Sequence, residues 1–295
     1  MTERADRLRG VLLMLAAVGV FALMDALMKN ISARYPAIQV ATLRGMSSLP
    51  FVALAYALTG QLRLLRPVRF GLHLLRGALA VAMLWGFLWA LAHASMADTY
   101  AVFMCAPILV VLIAALMLGE QVDRHLWLTV VAGLAGVLVM LRPSMAGLAS
   151  LAGLATFLSA LAYAFVVVLV RVQSRTETTA SMVFWFLLLL SIGAGALAAP
   201  VWVPILPADW VWIVGIGLTG WAGQHLITEA FRLAPASLVA PFEYTALIWA
   251  IGLDWIVWQV LPAPRMLIGS GIIETAGLYL LYRQRRREGP GIDPC

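Results

Sequence analysis

Apolar residues fill this chain in long runs, and short polar segments interrupt them at nearly regular intervals. Ten runs of about 17–25 residues stand out, each sufficient for a helix to cross a hydrocarbon layer. They cover residues 10–30, 37–58, 72–93, 97–119, 126–142, 147–171, 178–199, 209–231, 236–259 and 264–284. Tyr35-Pro36, Arg66-Pro67, Arg142-Pro143, Pro204 to Asp209 and Pro262 to Pro264 mark most of the connectors. The pattern predicts an all-α integral membrane protein with ten transmembrane helices and brief loops.

Composition supports that reading. Of 295 residues, 63% are hydrophobic and 12% charged, with a mean hydropathy of +0.95, against about 25% charged in soluble domains. The chain leaves no room for a sizeable soluble domain. Its net charge of +6 and pI near 9.8 do not point to nucleic acid, because the arginines sit in short loops beside apolar spans. Cys105 lies inside a span and Cys295 is the last residue, so there is neither a disulfide framework nor a metal-ligand spacing. The first run lacks a small-residue cleavage site and is read as a retained helix, not a signal peptide.

Orientation follows from the basic residues. Starting inside, the cytoplasmic segments hold Arg4, Arg7 and Arg9; Arg63, Arg66, Arg69 and Arg76; Arg124; Arg171 and Arg175; Arg232; and Arg283, Arg285, Arg286 and Arg287, which is 15 of the 20. That bias predicts cytoplasmic N- and C-termini.

The chain also resembles itself. His93 to Glu120 has a counterpart in Arg232 to Gln259 at an offset of 139, where Ala97 and Ala101 fall on Ala236 and Ala240. Elsewhere Phe21 and Ala22 fall on Tyr163 and Ala164, Ser32 on Ser174, and Gly136 on Gly277. Five helices per unit is an odd number, so the second unit enters the membrane from the opposite side. The expected architecture is therefore two inverted five-helix repeats, 1–143 and 144–287, with a short cytoplasmic tail at 288–295. Such symmetry is the mark of many transporter folds.

Several ionisable groups lie at membrane depth, where charge is expensive and function is the default hypothesis. Glu243 follows Pro241, which removes a backbone donor; a freed carbonyl and a carboxylate together can bind a cation or take a proton. Asp25 and Lys29, four apart, share a helix face and can pair. Arg44, two turns into its span, suits bidentate contact with a substrate carboxylate, or with Asp25 or Glu243 in the empty state. Gln224, His225 and Glu229 cluster on the eighth span, where His225 and Glu229 have a metal-compatible spacing but too few ligands for a closed site; helix-to-helix hydrogen bonding and a proton relay are the other readings. Glu274 is expected to tie a glycine-lined helix interface, and Asp254 to sit in water. Trp85, Trp89 and Tyr163 are expected to wall a cavity, with Asp25, Gln224 and Tyr244 also lining it.

FALMDALMKNISARYP, TLRG (Thr42 to Gly45), ADTYAVFMCAPILVVLIAALMLGE, APFEYTALIWA (Ala240 to Ala250) and GSGIIETAGLYLLYR (Gly269 to Arg283) together resemble the drug/metabolite transporter superfamily, of the EamA type. FALMDALMK with APFEYTALIWA is similar to the S-adenosylmethionine uptake carrier-like branch. The chain departs from the family where Trp258-Gln259 replaces a closing Gly-Glu.

The resemblance and the repeat imply a secondary transporter and not an enzyme. It would move a small polar metabolite, an amino acid or a derivative such as S-adenosylmethionine, across the bacterial cytoplasmic membrane by alternating access. Protons are a further expected partner; neither cofactor nor metal is expected, and monomer and homodimer both remain open. No GxxxxGK[ST] is present to bind nucleotide phosphates. A membrane-embedded lipid-acting enzyme or a lipid scramblase is the alternative, although no GxSxG or HExxH supports the enzyme.

Overall fold

Five helix starts carry their own cap. Ser95, Asp123, Ser144, Ser150 and Thr178 each accept a hydrogen bond from the backbone N–H three residues on, satisfying a donor that a first helical turn leaves open. The computed structural model describes residues 2–259 and 261–287, and it contains helices and no strand among the described residues.

The helices are α1 (Thr2–Ile31), α2 (Ala37–Leu58), α3 (Phe70–His93), α4 (Met96–Phe103), α5 (Ala106–Leu118), α6 (Arg124–Leu141) and α7 (Met145–Leu148). They continue with α8 (Leu151–Gln173), α9 (Thr179–Ala198), α10 (Trp210–Leu233), α11 (Ala236–Val239), α12 (Ala246–Trp258) and α13 (Pro264–Arg287). Eight stretches among the described residues are long and apolar enough to cross a membrane. The expected spans at 209–231 and 264–284 correspond to α10 and α13, each 24 residues long. Gln224 and His225 in the first, and Arg265 and Glu274 in the second, lower their hydropathy.

Two expected spans are broken, and they are the two that contain Pro107 and Pro241. Residues 97–119 form α4 and α5, joined at Met104 and Cys105, with Pro107 in the first turn of α5. Residues 236–259 form α11, a 3-10 segment (Ala240–Thr245) with Pro241 in its first turn, and α12. Proline lacks an N–H and crowds the preceding turn, so the regular helix stops there.

α1 packs on α10 and α12, α3 on α8 and α9, α2 on α9 and α10, α5 on α8, and α6 on α13. Glycines bring α2 and α10 together: a Cβ at Gly217 would lie 2.3 Å from the Ser47 carbonyl oxygen, and one at Gly220 would lie 2.6 Å from Ser48 Oγ. Glu274, expected to tie the α13 interface, is exposed instead. The close approach there belongs to Gly136 and Gly269, whose Cβ positions would each meet the other's carbonyl oxygen.

The two ends of the bundle are named by α1, which starts at the basal end and finishes at the distal end. At the basal end Glu120 accepts bonds from Ala236 N (2.9 Å), Ser237 N (2.9 Å) and Ser237 Oγ (2.6 Å). Glu177 accepts from Val68 N (2.9 Å) and Arg69 N (2.6 Å), and Thr178 Oγ1 donates to the Leu64 carbonyl at 2.6 Å. At the distal end Gln39 exchanges two bonds with the backbone of Val203, at 2.7 and 2.9 Å. Nearby, Asp209 is held by Arg34 and by the Tyr35 hydroxyl at 2.7 Å.

Candidate substrate cavity

A cavity of about 710 Å³ runs inward from Lys29 and Asp254 at the distal end to Arg76, Val170 and Phe231 in the basal half. It is built by helical periodicity. Phe21, Asp25 and Lys29 recur every four residues on one face of α1, and Gln224 and Thr228 do so on α10; residues four apart lie on the same side of a helix. A Cβ at Gly223 would come within 2.7 Å of the Phe21 ring, so its absence lets α1 lie close against α10.

Five polar residues from separate elements meet here: Asp25 (α1), Arg44 (α2), Arg76 (α3), Tyr163 (α8) and Glu243 (the 3-10 segment). The Arg44 guanidinium lies 5.0 Å above the Phe21 ring and within electrostatic reach of Asp25 and Tyr163. The Tyr163 hydroxyl lies within electrostatic reach of the Glu243 carboxyl, whose Oε1 has no partner. Aliphatic side chains and methionines make up most of the remaining wall, with aromatic rings at Tyr100, Phe103, Phe186 and Phe231 among them. The arrangement can hold a ligand that carries both charge and flat apolar surface.

The structure thus gathers Asp25, Arg44, Tyr163, Gln224 and Glu243 and leaves the other expected residues elsewhere. Trp85 is 56% exposed on the outside of the bundle, and Trp89 stacks on His93 at 4.2 Å. The reason is rotational: Arg76 and Met83 share the cavity face of α3, and Trp85, nine residues past Arg76, points about 180° away. Tyr244 is buried against Gly133 of α6, because one step along a 3-10 segment turns the side chain about 120° from Glu243. His225 is likewise one helical step from Gln224 and off the cavity lining. Glu229 is bonded to Thr179 and to Arg232 (2.9 Å) at the basal end, outside the cavity. Lys29 forms an ion pair with Asp254 at 2.8 Å across the cavity mouth, so Asp254 is a partner in a latch, not a lone wet carboxylate.

Arg76, expected with the loop arginines, is not one of them. It lies within α3 and is 2% exposed. Its position inside the apolar run 72–93 was the available signal, the same signal that marked Arg44.

The profile of the EamA-like transporter family matches the chain twice, over residues 8–142 and 150–283. A riboflavin transporter of Vibrio cholerae is 31% identical over 296 residues, covering 98% of this chain and 99% of that one. A pseudopaline exporter of Pseudomonas aeruginosa is 28% identical over 92% of this chain and 95% of its own length. An S-adenosylmethionine uptake transporter of Rickettsia prowazekii is 23% identical over 95% of this chain and 94% of its own. A solved crystal structure superposes with a TM-score of 0.82 at 20% identity, over 95% of this chain and 99% of that one.

Proposed function

This chain belongs to the EamA-like transporter family, and we propose that it is a secondary carrier of a small polar metabolite that works by alternating access. Its ten spans form two inverted repeats, 1–143 and 144–287. The double match of the family profile supports this, as do the helix contacts. Exchanging the halves turns the packing of α1 on α10 into that of α8 on α3, while α2 with α9 and α6 with α13 map onto themselves. The bond from Gln39 to Val203 has its counterpart in the bond from Thr178 to Leu64, with both residues of the pair displaced by 139.

The observation that carries the proposal is the convergence of Asp25, Arg44, Tyr163 and Glu243, two from each half, on one cavity. A ligand between the halves feels both and biases whichever arrangement fits it better, as alternating access requires. The basal end is cytoplasmic, and the cavity is entered from outside past Lys29 and Asp254. Arg44 contacts an acidic part of the substrate, and Glu243, facing Tyr163, holds the substrate cation or a proton. Names of relatives suggest the starting compounds: riboflavin, pseudopaline and S-adenosylmethionine, followed by amino acids.

Purified protein in proteoliposomes tests the reading. Wild type is expected to move one of these solutes across the membrane, and Glu243→Gln to lose that flux or its pH dependence while keeping the wild-type melting profile. Unchanged flux with unchanged pH dependence removes Glu243 from the mechanism. Movement of labelled lipid alone, without soluble metabolite, rejects the metabolite carrier.

A further inference from the structure

The charges that line the cavity are unequally provided for. Lys29 and Asp254 pair at the mouth, Arg44 has Asp25 within electrostatic reach, and Glu243 has Tyr163. Arg76 has no carboxylate among the described residues within 4.0 Å. Its Nη1 donates to the Met182 carbonyl at 3.3 Å, its Cζ lies 4.6 Å over the Phe186 ring, and its Nε is buried without a partner. A guanidinium offers five N–H donors, and one carbonyl with one ring face leaves most of them, and the charge, unanswered.

The nearby basal carboxylates are already committed. Glu177 accepts from Val68 N, Arg69 N and Ser181 Oγ and pairs with His73, while Glu229 is bonded to Thr179 and Arg232. A buried cation without a counter-ion destabilises a fold, and ionisable residues kept at membrane depth mark substrate pathways. Arg76 lies in the wall of the deep part of the cavity.

We propose that Arg76 anchors the acidic group of the transported molecule, so that the carrier takes organic anions that enter acid-first. This rests on the carrier reading above and narrows its substrate class. A carboxylate or a phosphate monoester carries the required oxygens, since either presents two acceptors to the guanidinium fork. The body of the molecule lies above it, between Tyr163 and the ring of Phe231. Arg44, nearer the mouth and already facing Asp25, guides the acid and does not terminate its path.

The test melts detergent-purified protein with acids paired to neutral counterparts: benzoate with benzamide, phenyl phosphate with phenol, and flavin mononucleotide with riboflavin. At a hundredfold excess over its dissociation constant, an anion held by Arg76 is expected to raise the melting temperature by about 5 °C or more. Its neutral counterpart should not. The shift is expected to vanish in Arg76→Gln and to persist, reduced, in Arg76→Lys. Response to carboxylates alone or phosphates alone identifies which acid fits.

Without ligand, Arg76→Gln is expected to melt at or above wild type, because an uncompensated charge has been removed. A lower melting temperature with the acid shift intact makes Arg76 structural and overturns the proposal. A flat panel, or neutral compounds as effective as their acids, overturns it too. Proteoliposome flux separates the two readings. Acid binding without flux rejects the carrier and leaves the anion site, whereas flux of a neutral solute with no acid response rejects the anion site alone.

Discussion

The basal and distal ends of this bundle share one kind of tie and differ in another. Both have a buried carboxylate joining loops from opposite halves: Glu177 holds the segment before α3, and Asp209 holds the segment before α2. They differ where the cavity axis meets each end. Basally, Glu120 takes three hydrogen bonds from the start of α11, and Arg171 Nη1 donates to the Arg232 carbonyl at 2.8 Å. Distally, the cavity is spanned by Lys29 and Asp254, whose side chains are 54% and 47% exposed. Bonds to backbone N–H groups at a helix start leave orphan donors behind when broken, whereas exposed ion pairs are screened and contribute little. The shared ties are alike at both ends, and the unshared ones differ in what breaking them costs.

The largest expected effect is on the shared ties. Glu177→Ala strands two N–H donors, a histidine and a serine, and is expected to cost about 2–4 kcal/mol, read as a lower melting temperature in detergent. Acid sharpens the point. Burial pushes the Glu177 carboxyl up, but the N–H groups of Arg69 and Val68, with His73 and Ser181, together hold it below the ordinary carboxylate value. A group with a depressed folded-state pKa contributes stability above its unfolded value and loses it as pH falls through the folded one. Wild type should therefore weaken below the ordinary glutamate range, and Glu177→Gln should show a flatter acid profile. Asp209, held low by the Tyr35 hydroxyl and Arg34 against the opposing effect of burial, gives the same sign at the other end.

Next comes the unshared basal tie. Glu120→Ala is expected to cost about 1–2 kcal/mol through the lost cap, with a measurable fall in melting temperature. Smallest is the distal latch: Lys29→Ala should change stability by less than about 1 kcal/mol, and by still less in high salt. Equal losses for Glu120→Ala and Lys29→Ala would abolish the distinction between the ends.

Much of the fold was legible because lipid restricts what a spanning segment can contain. The apolar runs became helices; Pro107 and Pro241 lie at the two breaks, whereas Pro50 is accommodated inside the unbroken α2. The caps at Ser95, Asp123, Ser150 and Thr178 depend only on residues within three positions, although the apolar pattern did not single them out. The cavity was legible only in part. Glu243, Arg44 and Asp25 stood out because charge at depth is rare, yet Arg76 was taken for a loop residue since arginines near span ends usually mark topology. Trp85 and Tyr244 were misplaced for a simpler reason: a helix turns about 100° per residue, so an error of one or two positions in facing sends a side chain to the opposite surface.

By itself the sequence determined where the chain is helical, where it breaks and which charged groups lie at depth, because each depends on neighbours within a few residues or on the demand of the surrounding lipid. Only the tertiary structure decided who meets whom. Lys29 finds Asp254, and Glu120 finds the start of α11, across more than a hundred residues of chain. Those pairings, and the exclusion of Arg76 from any of them, follow from how helices pack face to face, which no local stretch specifies.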